Sequence, residues 1–153
     1  PPGVRHHIEE ERDSAIRILS KFHQSGGTLI CGSETGFSMT PYGEWHTREM
    51  GLFVKHLGLS PMEAILCMTR NSAFTLPNYR DKIGTLTPGK FADLLVVNGA
   101  PHENIEVLHD PSNIQTIMQG GRTITPWRPV DQKRTRHGFE KVHLYTRKTL
   151  TRM

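Results

Sequence analysis

The sequence predicts an α/β protein in which a helix–strand–helix unit is followed by a β-rich segment. Three observations lead to this fold class. Apolar residues recur at helical spacing over residues 4–23, and a short apolar run follows at 28–31. A helix start with its capping signals stands at Ser60. Residues 82–124 then change to short apolar runs separated by Pro and Gly turns, which is typical of strands.

The first helix is predicted over Val4 to His23. Its apolar face is formed by Ile8, Ala15, Ile16, Leu19 and Phe22. Ser25-Gly26-Gly27 ends the helix, because Gly is the preferred residue just after a helix. Thr28 to Cys31 follows as a mostly apolar run bounded by glycines, which predicts a strand buried in a parallel sheet.

Two further helices are predicted after this strand. The second covers Glu44 to Leu57 and ends at Gly58. The third begins at Ser60, with Pro at its first position and Glu63 three residues after the cap, and it stops before Pro77.

The β-rich segment contains four predicted strands. They are Ile83–Leu86, Leu94–Val97, Ile114–Met118 and Arg122–Ile124. A turn at Thr87–Lys90, with Pro and Gly in their usual places, separates the first two strands.

Composition narrows the classes of protein. The chain has 153 residues, 35% of them hydrophobic, which suffices for one core but is short for a complete (β/α)8 barrel of about 250 residues. Its two cysteines form no CxxC pair, which predicts no disulfide framework and fits a reducing, cytoplasmic setting. No apolar run approaches about 18 residues, so no membrane association is expected. The absence of GxSxG, GKS/T and GxGxxG argues against serine hydrolases, P-loop proteins and dinucleotide binding.

The basic character of the chain lies in its last residues. The net charge is +4 overall, whereas residues 125–153 carry eight Lys and Arg side chains against Asp131 and Glu140, a net charge of +6. This basic tail could contact nucleic acid. We expect a solvated tail instead, since the charges are spread out and no recognition motif is present.

Four stretches of the sequence carry a family resemblance. They are residues 26–36 (GGTLICGSETG), Glu49 followed by residues 57–65 (LGLSPMEAI), residues 68–73 (MTRNSA) and residues 83–97 (IGTLTPGKFADLLVV). In this order they resemble the amidohydrolase superfamily, in particular its imidazolonepropionase-like and cyclic amidohydrolase branches. The match covers about residues 15–124 and corresponds to the C-terminal portion of the family pattern.

The resemblance implies an architecture in three parts. Residues 1–78 would be the last helix–strand–helix part of a (β/α)8 TIM-like metal-dependent hydrolase barrel. Residues 79–124 would be strands of a small β-sandwich, and residues 125–153 a basic C-terminal tail. The N-terminal barrel segment would come from a missing part of the protein or from a second chain. Alone, the chain would expose apolar surface, tend to associate, even into a homo-oligomer, and lack activity.

The resemblance also implies a chemistry. Enzymes of the amidohydrolase superfamily hydrolyse carbon–nitrogen bonds in small molecules through water activated by one or two divalent metals. The family's ligands are a His-x-His pair, two further His and an Asp that ends the last barrel strand and shuttles the proton. Glu34 occupies the position of this Asp, which makes it the candidate metal ligand and catalytic residue. Zinc is the expected metal, with iron and manganese left open.

The loop after Glu34 holds the candidate substrate-binding residues. Phe37 and Tyr42 either form an apolar wall against a substrate ring or pack beneath the loop. His46, near the start of the second helix, either lines the substrate pocket or stays on the helix surface. Cys31, Cys67 and Asp93 are expected to be structural.

An alternative function remains open. The chain could be a non-catalytic binding or assembly module derived from an amidohydrolase.

Overall fold

The structure, a computed structural model, describes residues 2–35, 40 and 45–124. The helices are α1 (Pro2–Gln24), α2 (Trp45–Leu52) and α3 (Pro61–Leu66), and the strands are β1 (Leu94–Val97), β2 (Ile114–Gln119) and β3 (Arg122–Ile124). π-helical turns continue α2 over Phe53–Leu57 and α3 over Cys67–Asn71, and short 3-10 helices cover Ser72–Thr75, Ile105–His109 and Pro111–Asn113. The predicted basic tail, residues 125–153, lies outside the described residues.

Helix α1 confirms the first predicted helix. It ends where the sequence predicts, with Gly26 at φ +83° and the backbone N–H of Gly27 donating to Phe22 O at 2.9 Å. Several of its apolar side chains stay exposed, among them Ile18 and Phe22. None of the helices in the described residues combines the length and the apolar character needed to cross a membrane.

The second and third predicted helices are confirmed, although each widens into a π-helical turn. Gly58 ends the second at φ +78°. The third begins with a capping box, in which Ser60 Oγ accepts from Glu63 N at 3.3 Å and Glu63 Oε2 accepts from Ser60 N at 2.7 Å. This local pairing fixes the point at which the chain turns from α2 into α3.

The prediction of a strand at Thr28–Cys31 is wrong for the described residues. The segment keeps the alternation of a strand, with Leu29 and Cys31 buried and Ile30 41% exposed, but it pairs with no strand among the described residues. Its contacts run to a helix instead, as the backbone N–H of Cys31 donates to Cys67 O at 3.2 Å. A parallel strand needs neighbours along its edges, and the described part of the chain provides none.

The β-rich segment forms a three-stranded antiparallel sheet in the order β1-β2-β3. Leu94 faces Met118 across the first pair, and Ile117 faces Ile124 across the second. The strands predicted at residues 94–97 and 122–124 are confirmed, and the one predicted at 114–118 extends by one residue. Gly120 and Gly121, both at positive φ, form the tight turn between β2 and β3.

The strand predicted at Ile83–Leu86 is wrong, because residues 83–85 form a bend and no residue of this stretch is in a strand. Gly84 has φ +85°, and an added Cβ there would lie 2.9 Å from the Cβ of Ala73. Lys90 Nζ donates to the carbonyl of Ile83 at 3.0 Å. The left-handed glycine and its close approach to the end of the third helix exclude a regular strand.

One hydrophobic core joins the helices to the segment after β1. It contains Leu29, Cys31, Met50, Leu57, Leu59, Ala64, Cys67, Ile105 and Leu108. The 3-10 helix at Ile105–His109 contributes the last two members and lies against α2, where His109 Nε2 is 3.1 Å from Thr47 O. The residues at the end of segment 28–31 are therefore fixed between this core and α2.

Candidate active site

Glu34 follows segment 28–31 and has an unusual backbone. It has φ +49°, and every other described residue at positive φ is a glycine. A left-handed conformation costs an ordinary L residue about 1–2 kcal/mol. Its side chain is exposed, and its carbonyl accepts from Thr40 Oγ1 at 3.1 Å. The surrounding contacts therefore hold Glu34 in a conformation that it would not adopt by itself.

Helix α2 brings His46 to the residues beside Glu34. His46 Nδ1 lies 3.1 Å from Ser33 Oγ and 3.5 Å from Thr35 Oγ1, and the two hydroxyl oxygens are 2.9 Å apart. His46 is exposed on the helix surface, yet this ring nitrogen is engaged with the segment that carries Glu34. Its predicted contact with substrate stays a prediction.

Glu49 lies one turn further along α2, on the same face as His46. Its Oε1 accepts from the backbone N–H of Gly32 at 2.9 Å. Its Oε2 is buried without a hydrogen-bond partner among the described residues. Burial raises the pKa of the Glu49 carboxyl, and this effect outweighs the opposing influences of the Gly32 N–H and of His46. Sequence analysis did not predict a role for Glu49 beyond its place in the family resemblance.

The raised pKa of Glu49 predicts a particular pH dependence of stability. Above the ordinary carboxyl pKa of 4.5 the unfolded chain ionises first, so the folded state pays for the burial of this group as the pH rises. We therefore expect wild type to lose stability relative to Glu49→Gln as the pH rises from below 4.5 through the folded pKa. Urea unfolding of both proteins across this range measures the difference.

Glu63 provides the control for this prediction, with the opposite sign. Its hydrogen bonds from Ser60 lower the pKa of its carboxyl. Wild type should therefore gain stability relative to Glu63→Gln as the pH rises to 4.5, a contribution lost when the pH falls through the folded pKa. The stability difference between wild type and each Gln variant should change with pH in opposite directions. If both differences changed in the same direction, the assignment of Glu49 as a desolvated carboxyl would be contradicted.

The residues of the third resemblance motif fasten α3 to segment 28–31. Asn71 Nδ2 donates to Leu29 O at 3.0 Å. Ser72 Oγ donates to Cys67 O at 2.6 Å and lies 3.3 Å from Cys31 O. These side chains satisfy two carbonyl groups of segment 28–31 and one of the helix beside it, which gives this motif a structural role.

Cys31, Cys67 and Asp93, which the sequence predicts to be structural, occupy structural positions. Cys31 and Cys67 are buried in the core. Burial raises the pKa of the Cys31 thiol to about 12, with further contributions from Glu49 and Cys67, so it is no nucleophile at neutral pH. Asp93 Oδ1 accepts from Gly120 N at 2.7 Å and thereby supports the turn between β2 and β3.

The part of the chain that the structure describes contains no group of three His, Cys, Asp or Glu side chains that could hold a metal ion. Glu34 offers a hard carboxylate of the kind that divalent metals bind, but it is a single ligand. A metal held here would need further ligands from elsewhere. Phe37 and Tyr42, the other predicted site residues, lie outside the described residues.

A cleft of about 230 Å³ opens between the end of α1 and α3. Its lining includes His23, Thr28 and Glu63 but not Glu34, and His23 Nε2 lies 3.6 Å from Glu63 Oε1. The cleft borders the amino end of segment 28–31. The motif resemblance points to Glu34 and not to the residues of this cleft, so we take the residues around Glu34 as the candidate site.

Comparison with known proteins identifies the family. The model of the amidohydrolase family matches residues 12–124, and the chain belongs to this family. The motif resemblance noted in the sequence is thereby confirmed.

Individual relatives are hydrolases of several kinds. Ochratoxinase from Aspergillus niger is 27% identical over 120 residues, which cover 75% of this chain and 24% of the relative. Imidazolonepropionase from Geobacillus kaustophilus is 31% identical over 75 residues, covering 49% of this chain and 18% of that protein. The chain thus spans about a quarter or less of the length of these relatives.

Solved structures agree with this assignment. The crystal structure of A. niger ochratoxinase matches with a TM-score of 0.66 and 27% identity, covering 75% of this chain and 26% of that one. A Xaa-Pro dipeptidase with methionine bound in its active site matches with a TM-score of 0.61 and 28% identity. The match covers 71% of this chain and 25% of the dipeptidase chain. The chain folds as a segment of the amidohydrolase fold.

Proposed function

We propose that this chain is the C-terminal part of a metal-dependent amidohydrolase that hydrolyses a non-peptide carbon–nitrogen bond in a small molecule. Residues 1–78 would close a (β/α)8 barrel, and residues 79–124 would belong to a β-sandwich beside it. The observation that carries the proposal is Glu34, a carboxylate held in a left-handed conformation just after segment 28–31. By the motif resemblance, that point would be the carboxyl end of the last strand of the completed barrel, where barrel enzymes act.

The proposed reaction assigns distinct tasks to residues of this chain. A divalent metal, zinc in our proposal, supplies an activated water at neutral pH when bound. Glu34 would offer one oxygen ligand, accept the proton from the attacking water and pass it to the leaving nitrogen. Phe37 and Tyr42 would contact the substrate. The sequence offered the same role for His46, but its Nδ1 lies against Ser33 and Thr35, so we assign it to holding the segment around Glu34.

The exposed apolar surface supports the proposal that the rest of the barrel is required. Ile30 is 41% exposed on the face of segment 28–31 that points away from the core. On β1, Leu95 is 53% exposed. Apolar groups at these places favour burial against further elements. We propose that an N-terminal barrel segment, on the same polypeptide or on a second chain, covers them, and that without it the chain is inactive in the cytoplasm.

The proposal predicts metal-dependent hydrolysis by the full-length gene product that contains this chain. We expect that product to hydrolyse at least one member of a panel of N-acyl amino acids, cyclic amides and imidazolones. Chelation should abolish turnover because the activated water is lost, and zinc or manganese should restore it. The rate at which free amine or carboxylate is released measures turnover, and the metal content of the same samples shows whether turnover follows the bound metal.

Two results would reject this function. Hydrolysis that survives complete removal of metal would exclude metal-activated water. No hydrolysis of any panel member by metal-loaded protein would favour the alternative, a binding or assembly module derived from an amidohydrolase.

A further inference from the structure

The residues on both sides of Glu34 are tied to one helix. Gly32 is held through its backbone by Glu49, and Ser33 and Thr35 are held through their hydroxyls by His46. Both anchoring side chains come from one face of α2, one turn apart. Glu34 itself has φ +49° between these anchored neighbours.

We propose that Glu49 and His46 are positioning residues that hold the carboxylate of Glu34 in its reactive orientation by clamping residues 32, 33 and 35. This inference rests on the proposed function, since it assumes that Glu34 takes part in catalysis. It concerns residues that approach Glu34 only through its backbone neighbours.

The Glu49–Gly32 contact is the firmer half of the clamp. A carboxylate oxygen accepting a backbone N–H forms a strong, directional hydrogen bond, here 2.9 Å long. The carboxylate is partly withdrawn from water, and its Oε2 is buried without a partner among the described residues. An apolar side chain could fill this place without desolvating a charge, but it could not accept from the Gly32 N–H.

His46 contacts the residues on both sides of Glu34. Its Nδ1 lies within 3.1 Å of Ser33 Oγ, which in turn lies 2.9 Å from Thr35 Oγ1. The two hydroxyls flank Glu34 in sequence, so the ring limits rotation of the backbone on both sides of it. A left-handed Glu persists only where its surroundings restrict it in this way.

Paired variants of the full-length gene product test the Glu49 half. Glu49→Gln keeps an oxygen that can accept from Gly32 N–H, whereas Glu49→Leu fills the same space and removes the acceptor. We expect Glu49→Leu to lower kcat by about 10²-fold, the effect of a misplacement of about 1 Å, with KM nearly unchanged. Glu49→Gln should keep kcat within about tenfold of wild type, equivalent to about 1.4 kcal/mol.

Wild-type kcat in Glu49→Leu would overturn the proposal. An equal loss in Glu49→Gln and Glu49→Leu would also overturn it, because it would mean that the charge of Glu49 acts directly. If Glu49→Leu fails to fold, Glu49→Gln and the His46 variants decide the question.

The His46 half is tested by two isosteric changes. Asn places its oxygen near the position of Nδ1, and Gln reaches towards the position of Nε2. Clamping through Ser33 and Thr35 predicts that His46→Asn keeps more of kcat than His46→Gln. The reverse order would mean that His46 acts through Nε2 on the substrate and would overturn its assignment as a positioning residue.

A measurement without turnover separates this inference from the proposed function. Hydrogen–deuterium exchange of the peptide covering residues 28–35, in the same full-length proteins, reports the Gly32 amide. The clamp predicts faster exchange in Glu49→Leu and wild-type exchange in Glu49→Gln. If wild type hydrolyses no substrate but this pattern holds, the proposed function fails, and only the structural hold of Glu49 on Gly32 is supported. Unchanged exchange in Glu49→Leu rejects the clamp, whatever the activity.

Discussion

Replacing Glu34 with Gln should lower kcat of the full-length gene product by about 10²–10⁴-fold, the usual contribution of a general acid–base group. Gln keeps the length and shape of the side chain and can still direct one oxygen towards a metal. It has no negative charge and cannot accept a proton near neutral pH. Steady-state kinetics at saturating substrate, with bound metal measured in parallel, separate lost proton transfer from lost metal.

Glu34→Asp is the matched control for this prediction. It introduces the residue that the motif resemblance implies at this position and keeps the charge, but it withdraws the carboxylate by about one methylene. We expect activity well above that of Glu34→Gln and below wild type, since a shift of about 1 Å is enough to cost turnover. Wild-type kcat in Glu34→Gln would remove Glu34 from the mechanism.

The helices could be predicted because their signals are local. The start of α3 is encoded by Ser60, Pro61 and Glu63, which satisfy one another within a single turn. The end of α1 is likewise set by Gly26, whose φ of +83° suits a residue without a side chain. Neither feature depends on distant parts of the chain.

The two incorrect strands depend on distant residues. Segment 28–31 has the alternation of a strand, but a strand is defined by its neighbours, and those are missing among the described residues. Residues 83–86 form no strand because Gly84 has φ +85° and packs against Ala73, eleven positions earlier in the sequence. Apolar composition alone could reveal neither the lack of neighbouring strands at 28–31 nor the packing of Gly84 against Ala73.

The candidate site likewise combines features encoded by neighbouring residues with features that depend on residues distant in the sequence. Glu34 could be located from the sequence because a short contiguous motif surrounds it. The contact of Glu49 with Gly32 joins residues 17 positions apart, and the buried Oε2 is a consequence of tertiary packing. Only the structure brings His46 and Glu49 together on the residues next to Glu34, whereas the sequence left His46 either in the substrate pocket or on the helix surface.

The largest loss of stability is expected where α2 passes into α3. Leu59 is 3% exposed within the core cluster and follows Gly58, whose φ of +78° turns the chain. Truncating a buried Leu to Ala removes transfer free energy and leaves a cavity, at a cost of about 2–5 kcal/mol. Urea unfolding of Leu59→Ala should reveal a loss in this range.

Leu86→Ala is the matched control, because the same atoms are removed from a side chain that is 75% exposed. Its free energy of unfolding should stay within about 0.5 kcal/mol of wild type. Equal losses in the two variants would contradict the core described here. Leu59 shares that core with Met50, the neighbour of Glu49 in α2. Loosening the core at Leu59 should therefore also speed hydrogen exchange at Gly32, linking the stability of the helical core to the geometry around Glu34.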